Sequence, residues 1–136
     1  MEILNLKENI EVLCRRVSEF PKGVKDAFTS LMHDLPDSNK RDFYGISYMD
    51  EKGGIVYKAG ATFLPGDSAE KYSSELFKIP KGDYLGETLL GWMSKKECIK
   101  DIFGRLMKDP RFDDGFPCVE WYKSDDDLFC MVKIRS

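Results

Sequence analysis

The sequence is poor in the groups on which most enzyme chemistry rests. Its 136 residues hold one histidine, His33, and four cysteines, Cys14, Cys98, Cys118 and Cys130, with no Cys-x-x-Cys pair. A lone histidine off the apolar stripe of its helix supplies neither a histidine metal site nor a catalytic triad without remote partners. Widely spread thiols fit neither a zinc site nor a disulfide framework, so they read as reduced, mostly core residues. Gly53, Gly54 and Gly82 belong to turns, and no phosphate-cradling glycine motif is present. Asp125, Asp126 and Asp127 are consecutive and lack the alternating spacing of a calcium loop, which makes them a solvated turn. Neither a cofactor nor a metal is expected.

Excess charge of one sign is missing too. Acidic residues number 24 against 21 basic ones, a net charge of −3 with both signs interspersed. No basic stripe exists to grip a phosphate backbone, so direct nucleic-acid binding is not expected. No window approaches the length of a membrane span, and Met1 to Ile10 alternates charged with apolar residues instead of forming a signal-peptide core. The expectation is a cytoplasmic protein with no membrane partner.

What is present is enough apolar material, 42% with 12% aromatic, for one core in a single domain spanning residues 1–136. Ile10 to Val17 is rich in branched residues and reads as a strand that stops at Phe20-Pro21-Lys22-Gly23. Val24, Ala27, Phe28, Leu31, Met32 and Leu35 have the three-and-four spacing of one buried helical face, ended by Pro36. Phe43 to Met49 and Ile55 to Phe63 make a hairpin around Asp50-Glu51-Lys52-Gly53-Gly54. Leu64 to Ser74 reads as a connector. A short apolar stretch, Leu76 to Ile79, precedes a turn at Pro80 and a strand from Tyr84 to Trp92. Ser94 and Glu97 form a capping box for a second helix whose apolar face is Ile99, Ile102, Phe103, Leu106 and Met107. Pro117 to Lys123 and Leu128 to Arg135 close the chain as strands.

The order strand, helix, strand, strand therefore occurs twice, roughly over 8–63 and 75–135. Val24 to Asp34 and Ile99 to Asp109 match at six of eleven positions, and a two-residue slip then lays Gly45 to Met49 on Cys118 to Tyr122, with Ser47 against Glu120. Such units pair side by side. The expected fold is α+β, one antiparallel sheet with both helices on one face and a ligand cleft between the halves.

Strand alternation in Pro117-Cys-Val-Glu-Trp-Tyr122 puts Val119 and Trp121 on one face and Cys118, Glu120 and Tyr122 on the other. Val119 and Trp121 suit the helix-covered core, which leaves Glu120 on an open, groove-lining face beside an aromatic hydroxyl. A carboxylate among rings can recognise a cationic or hydrogen-bond-donating ligand. On the residues alone, a solvated strand glutamate outweighs that reading, because unpaired acids are seldom buried. Trp92, at the junction of the central strand and second helix, and Tyr57 sit where a groove between the halves would be lined.

The segments Gly45-Ile-Ser-Tyr-Met-Asp50, Phe77 to Tyr84, Pro117-x-x-Glu120-x-Tyr122 and Phe129 to Ile134 together resemble the gyrase-inhibitor-like (GyrI-like) small-molecule-binding domain. That domain is also the effector-binding module of AraC-type and MerR-type transcription regulators. The resemblance covers nearly the whole chain and implies paired strand-helix-strand-strand (SHS2) units around a ligand cleft, with the glutamate matched by Glu120 contacting cationic or polar-aromatic ligands. It moves the balance for Glu120 toward the ligand-facing reading. There is no N-terminal helix-turn-helix region, so a direct transcription-factor role is not expected.

The expected function is that of a stand-alone module that senses or sequesters hydrophobic, cationic compounds. Glu120 would be the charge anchor, Trp92, Tyr57 and Tyr122 the stacking walls, and Cys118 a further lining residue. Binding is favoured over turnover. The alternative implied by the family is hydrolysis of reactive xenobiotics with Glu120 as general base, and a third reading is a gyrase-inhibitor-like protein-interaction module. Exposed strand edges at both ends would also suit a homodimer or another protein partner.

Overall fold

The structure, a computed structural model, describes residues 1–135. Eight strands form one antiparallel sheet: β1 (Glu2–Leu6), β2 (Ile10–Arg16), β3 (Phe43–Met49), β4 (Ile55–Thr62), β5 (Glu75–Ile79), β6 (Gly82–Leu90), β7 (Cys118–Tyr122) and β8 (Asp127–Lys133). Helix α1 (Val24–Asp34) lies between β2 and β3, and α2 (Glu97–Leu106) between β6 and β7. Across the sheet the order is β1-β6-β8-β7-β3-β4-β2-β5. Exchanging β1 with β5, β2 with β6, β3 with β7 and β4 with β8 turns that order into its own reverse. The two halves are thus related by a pseudo-two-fold axis between β3 and β7. Each half also lends an edge strand to the other, β1 lying on β6 and β5 on β2.

Local chemistry explains the elements. Leu31 is fully buried on α1, and Leu35 leaves the helix in an extended conformation, ψ 134°, as the residue before Pro36 must. The β3–β4 turn is tied by Asp50, whose Oδ1 accepts the amides of Lys52 and Gly54 at 2.9 and 2.8 Å, while Gly53 takes φ +80°. Met32 and Met107, read as core from their spacing, are exposed on matching positions of the two helices. The capping box does not form. Gly91 turns the chain in the left-handed region, Trp92–Ser94 make a 3-10 turn, and the Ser94 hydroxyl donates to the Gly91 carbonyl, so α2 begins at Glu97 with Lys96 as its N-cap and no side-chain cap.

Register settles which side chains share a face. Arg15 pairs with Ala59, Ala59 with Gly45, Gly45 with Glu120, Glu120 with Cys130 and Cys130 with Glu87, a single row crossing six strands. The row ends symmetrically. Arg15 donates to Ser30 and Asp34 of α1, and Glu87 accepts from Arg105 of α2. Both helices therefore cover this face, α1 packing with Leu13, Tyr57, Ala59 and Ala61, and α2 with Leu85, Leu128, Cys130 and Val132. The opposite face is not left open, because the sheet curls and packs its own side chains into a second core of Val12, Tyr44, Ile46, Tyr84, Val119, Phe129 and Met131. Burying each of these large side chains contributes about 1.5–3 kcal/mol.

The connector 64–74 is fastened to the sheet by a buried ion pair. Both Arg41 and Asp67 side chains are almost fully enclosed, at 1% and 5% exposure, and two guanidinium nitrogens donate to the two carboxylate oxygens. Arg41 also donates to the carbonyls of Pro36 and Thr62, and Asp67 accepts the Leu64 amide, so every charged atom is occupied. The pairing holds the Asp67 carboxyl below its ordinary range. Removing one partner strands the other in a dry site. Arg41→Ala is expected to lower stability by about 3–5 kcal/mol in urea unfolding, and the Arg41→Ala/Asp67→Ala double variant to lose less than the sum of the singles.

Candidate functional site

The alternation along β7 holds, but its two faces are exchanged relative to the expectation. Val119 and Trp121 point to the self-packed side, where the Trp121 ring lies tilted against Tyr44 at 5.8 Å and its indole N–H donates to Asp42. Cys118, Glu120 and Tyr122 lie on the helix side. The physical reason is the curl: a sheet that closes on itself needs large apolar groups on both faces, so apolar character alone does not mark the helix-covered one. Glu120 accordingly sits beneath the line where the two halves meet, with α1 to one side and α2 to the other.

There the carboxylate is half-buried and held by two phenols. Tyr57, from β4, donates its hydroxyl to Glu120 Oε1 at 2.7 Å, and Tyr122, from β7, donates to the same oxygen at 2.6 Å. No lysine, arginine or histidine among the described residues forms an ion pair with Glu120. Burial pushes its carboxyl above the ordinary value, against the pull of the two hydroxyl hydrogen bonds. The neighbours move with it. Burial first and the nearby carboxylate second raise both tyrosine hydroxyls well above their usual range and bring the Cys118 thiol up to about 11. A thiol so poised is protonated and inert as a nucleophile.

Aromatic rings enclose the group. Phe20 stacks on Tyr57 at 5.1 Å with 19° between planes, and Trp92 meets Tyr122 edge-on at 4.9 Å. Phe28 of α1 touches both tyrosines edge-on, at 6.5 and 5.5 Å. All five residues singled out from the sequence, Glu120, Tyr122, Trp92, Tyr57 and Cys118, thus fall in one neighbourhood. Trp92 reaches it from the 3-10 turn and not from the end of a strand, the αL Gly91 having lifted it off the sheet. Sequence reasoning missed Phe20, Phe28 and Gly45. Phe28 was legible as a core residue of α1, and its position one helical turn from Val24 gave no sign of the carboxylate below.

Gly45 is what makes room. A Cβ at this position would overlap the Tyr57 hydroxyl and crowd Glu120 Oε1. It is also the true counterpart of Glu120. The sequence separation that relates Val24 to Ile99 relates Gly45 to Glu120 without any slip, and the two residues face each other directly across the central strands. Ser47, the counterpart under the slipped alignment, instead pairs with Cys118. Two surface hollows lie elsewhere. The larger, about 530 Å³, is lined by Arg15, Asp34, Lys71, Tyr72 and Ser73, polar groups in which Arg15 is already paired with Asp34.

No family model matches the chain and no curated protein is significantly similar to it in sequence. Solved structures share the fold. An integron cassette protein from the mobile metagenome of Vibrio cholerae matches with a TM-score of 0.71 at 18% identity, covering 98% of this chain and 95% of that one. The protein SAV2435 bound to tetraphenylphosphonium matches at 0.65 and 11% identity over 97% and 93%. A hydrolase from Listeria innocua matches at 0.58 and 12% identity over 98% and 90%. The α+β fold of one curled eight-stranded antiparallel sheet with two helices is therefore that of known proteins.

Two outcomes follow from this geometry. Gly45→Ala is expected to cost about 1–3 kcal/mol through overpacking, and Tyr57→Phe in the same chain to recover part of that loss by removing the colliding oxygen, a non-additivity read by thermal unfolding. The second concerns pH. With its folded pKa raised above 4.5, Glu120 is protonated in both states at low pH and costs nothing there. As pH rises from 4.5 to the folded value, the unfolded chain releases the proton first and stability falls, then levels. Glu120→Gln lacks that loss, so its stability relative to the parent should grow with pH across this window and stay constant above it.

Proposed function

We propose that this protein binds hydrophobic organic cations in the cleft between its halves, with Glu120 as the charge anchor. The observation that carries the reading is a half-buried carboxylate with two hydrogen-bond donors and no counter-ion among the described residues. A charge taken out of water without a partner is costly, and proteins keep such groups where something else supplies the opposite charge. The partly exposed rings of Tyr122, Trp92, Phe20 and Phe28 offer faces and edges to a soft, weakly hydrated cation, with Tyr57 buried beneath Phe20. Phenols with raised pKa values stay protonated at ordinary pH, which suits holding a carboxylate in place better than delivering protons. The tetraphenylphosphonium bound by SAV2435, a protein of the same fold, is a ligand of this chemical class. Cys118, packed beside the group, would complete the floor.

One observation favours a second reading. Both hydroxyls engage Oε1, which leaves Oε2 free of side-chain donors among the described residues. A carboxylate of raised basicity with one free oxygen can activate water, and one protein of this fold carries the name hydrolase. Recovery of the ligand tells the two apart. A cation returned chemically unchanged after long incubation supports binding, and a hydrolysed product supports the second reading.

Binding should couple to protonation. A cation stabilises the ionised carboxylate, so affinity for tetraphenylphosphonium should rise with pH through the titration of Glu120 and then become constant. Glu120→Gln should weaken binding about 30-fold or more above that range and abolish the pH dependence. Calorimetric titration at several pH values measures both. An unchanged affinity in a folded Glu120→Gln protein would rule out the anchor.

A further inference from the structure

The pseudo-two-fold axis passes between Gly45 and Glu120 and relates two of the aromatic groups around the carboxylate, although the two tyrosines are not counterparts, Tyr57 matching Leu128 and Tyr122 matching Ser47. The separation that relates Arg15 to Glu87, the two ends of the cross-sheet row, also relates Phe20 to Trp92. Each aromatic stands in the link between the second strand of its half and the following helix. Each rests on a tyrosine, and both tyrosines donate to one oxygen. Phe20, Tyr57, Glu120, Tyr122 and Trp92 thus form a continuous line, a charge at the middle and an aromatic post at either end. Phe20 is 42% exposed and Trp92 partly so, leaving ring surface on both posts for a ligand.

Resting on the reading of Glu120 as a cation anchor, we infer that the preferred ligand carries its positive charge centrally between two aromatic arms, one for each post. A cation with a single arm fits the same site in two orientations, its arm on one post or on the other. The distinction has a thermodynamic signature. For a two-armed ligand both posts act at once and losses multiply. For a one-armed ligand the two orientations are alternatives, and removing one post merely sends the arm to the other.

Dibenzyldimethylammonium and benzyltrimethylammonium form a matched pair of probes with one charge and two or one aromatic arms. Both are titrated calorimetrically, or by NMR where binding is weak, against the parent protein and against Phe20→Ala, Trp92→Ala and the double variant. The dibenzyl cation should bind more tightly than the benzyl cation. It should lose about fivefold to tenfold on removal of either post, and the product of the two on removal of both. The benzyl cation should lose no more than about twofold to either single variant, the statistical share of one orientation, and about fivefold to tenfold only to the double. Phe20→Leu and Trp92→Leu keep apolar volume and replace any alanine variant that does not fold. Equal affinity for the two probes, or a benzyl cation that loses tenfold to one post and nothing to the other, overturns the two-post arrangement while leaving Glu120 as anchor. Probes whose affinities ignore Glu120→Gln overturn the anchor and the arrangement together.

Discussion

The arrangement turns on one costly constraint, a carboxylate placed under two helices with no cation paired to it among the described residues. Solvating Glu120 takes two phenols brought from different strands, and bringing them to a single oxygen takes a residue with no side chain directly opposite. Those demands fix much else. Tyr57 must be buried on β4, which puts it against α1, and Tyr122 must face the helices, which sends Trp121 to the far side. The tyrosines are then covered by Phe20, Phe28 and Trp92, whose rings exclude water and so keep the carboxyl hard to ionise. Each step that makes the group more secure in position also makes its charge less comfortable.

The sheet supplies the rigidity this needs. Glu120 lies on one of the two central strands, flanked by three strands on one side and by four, counting β3, on the other. The exchange of β1 and β5 ties the halves at both outer edges, so the carboxylate sits between units that cannot slide apart without breaking edge ladders. Two cores on opposite faces of one sheet, with Leu13, Leu106, Leu128 and Met131 fully buried, leave little slack behind the central strands. What slack there is lies on the helix side, in partly exposed rings.

Much of the fold was legible because its elements carry strong local signals. The α1 stripe, the hairpin about Asp50 to Gly54 and the alternation of β7 all depend on neighbours a few residues away, and they appear within a residue or two of where periodicity puts them. β1 was not legible. Glu2 to Leu6 becomes a strand only because β6, far along the chain, offers it an edge. The face assignment of β7 failed for a related reason: curl is a property of the whole sheet, and Val119 and Trp121 look the same whether a helix or a second layer of sheet lies over them. The five residues proposed for the site came together because Glu120 and Tyr122 are two apart on one strand and because the repeat put Trp92 and Tyr57 near the junction. Phe20 was hidden in a turn signal. Gly45 was hidden by a two-residue slip that matched apolar residues to apolar residues when the informative match was a glycine to a glutamate.

That last match bears on stoichiometry. In a molecule built of two like-wound halves, any ordinary feature occurs twice, as the helices, the hairpins and the aromatic posts do. A position on the axis is different, because there a residue faces its own counterpart. Two glutamates at 45 and 120 would stand opposite each other on neighbouring strands, where like charges repel, and neither would leave room for Tyr57. Only one half can hold the acid, and the other must yield its side chain entirely. A doubled scaffold therefore presents one charge at its axis and not two.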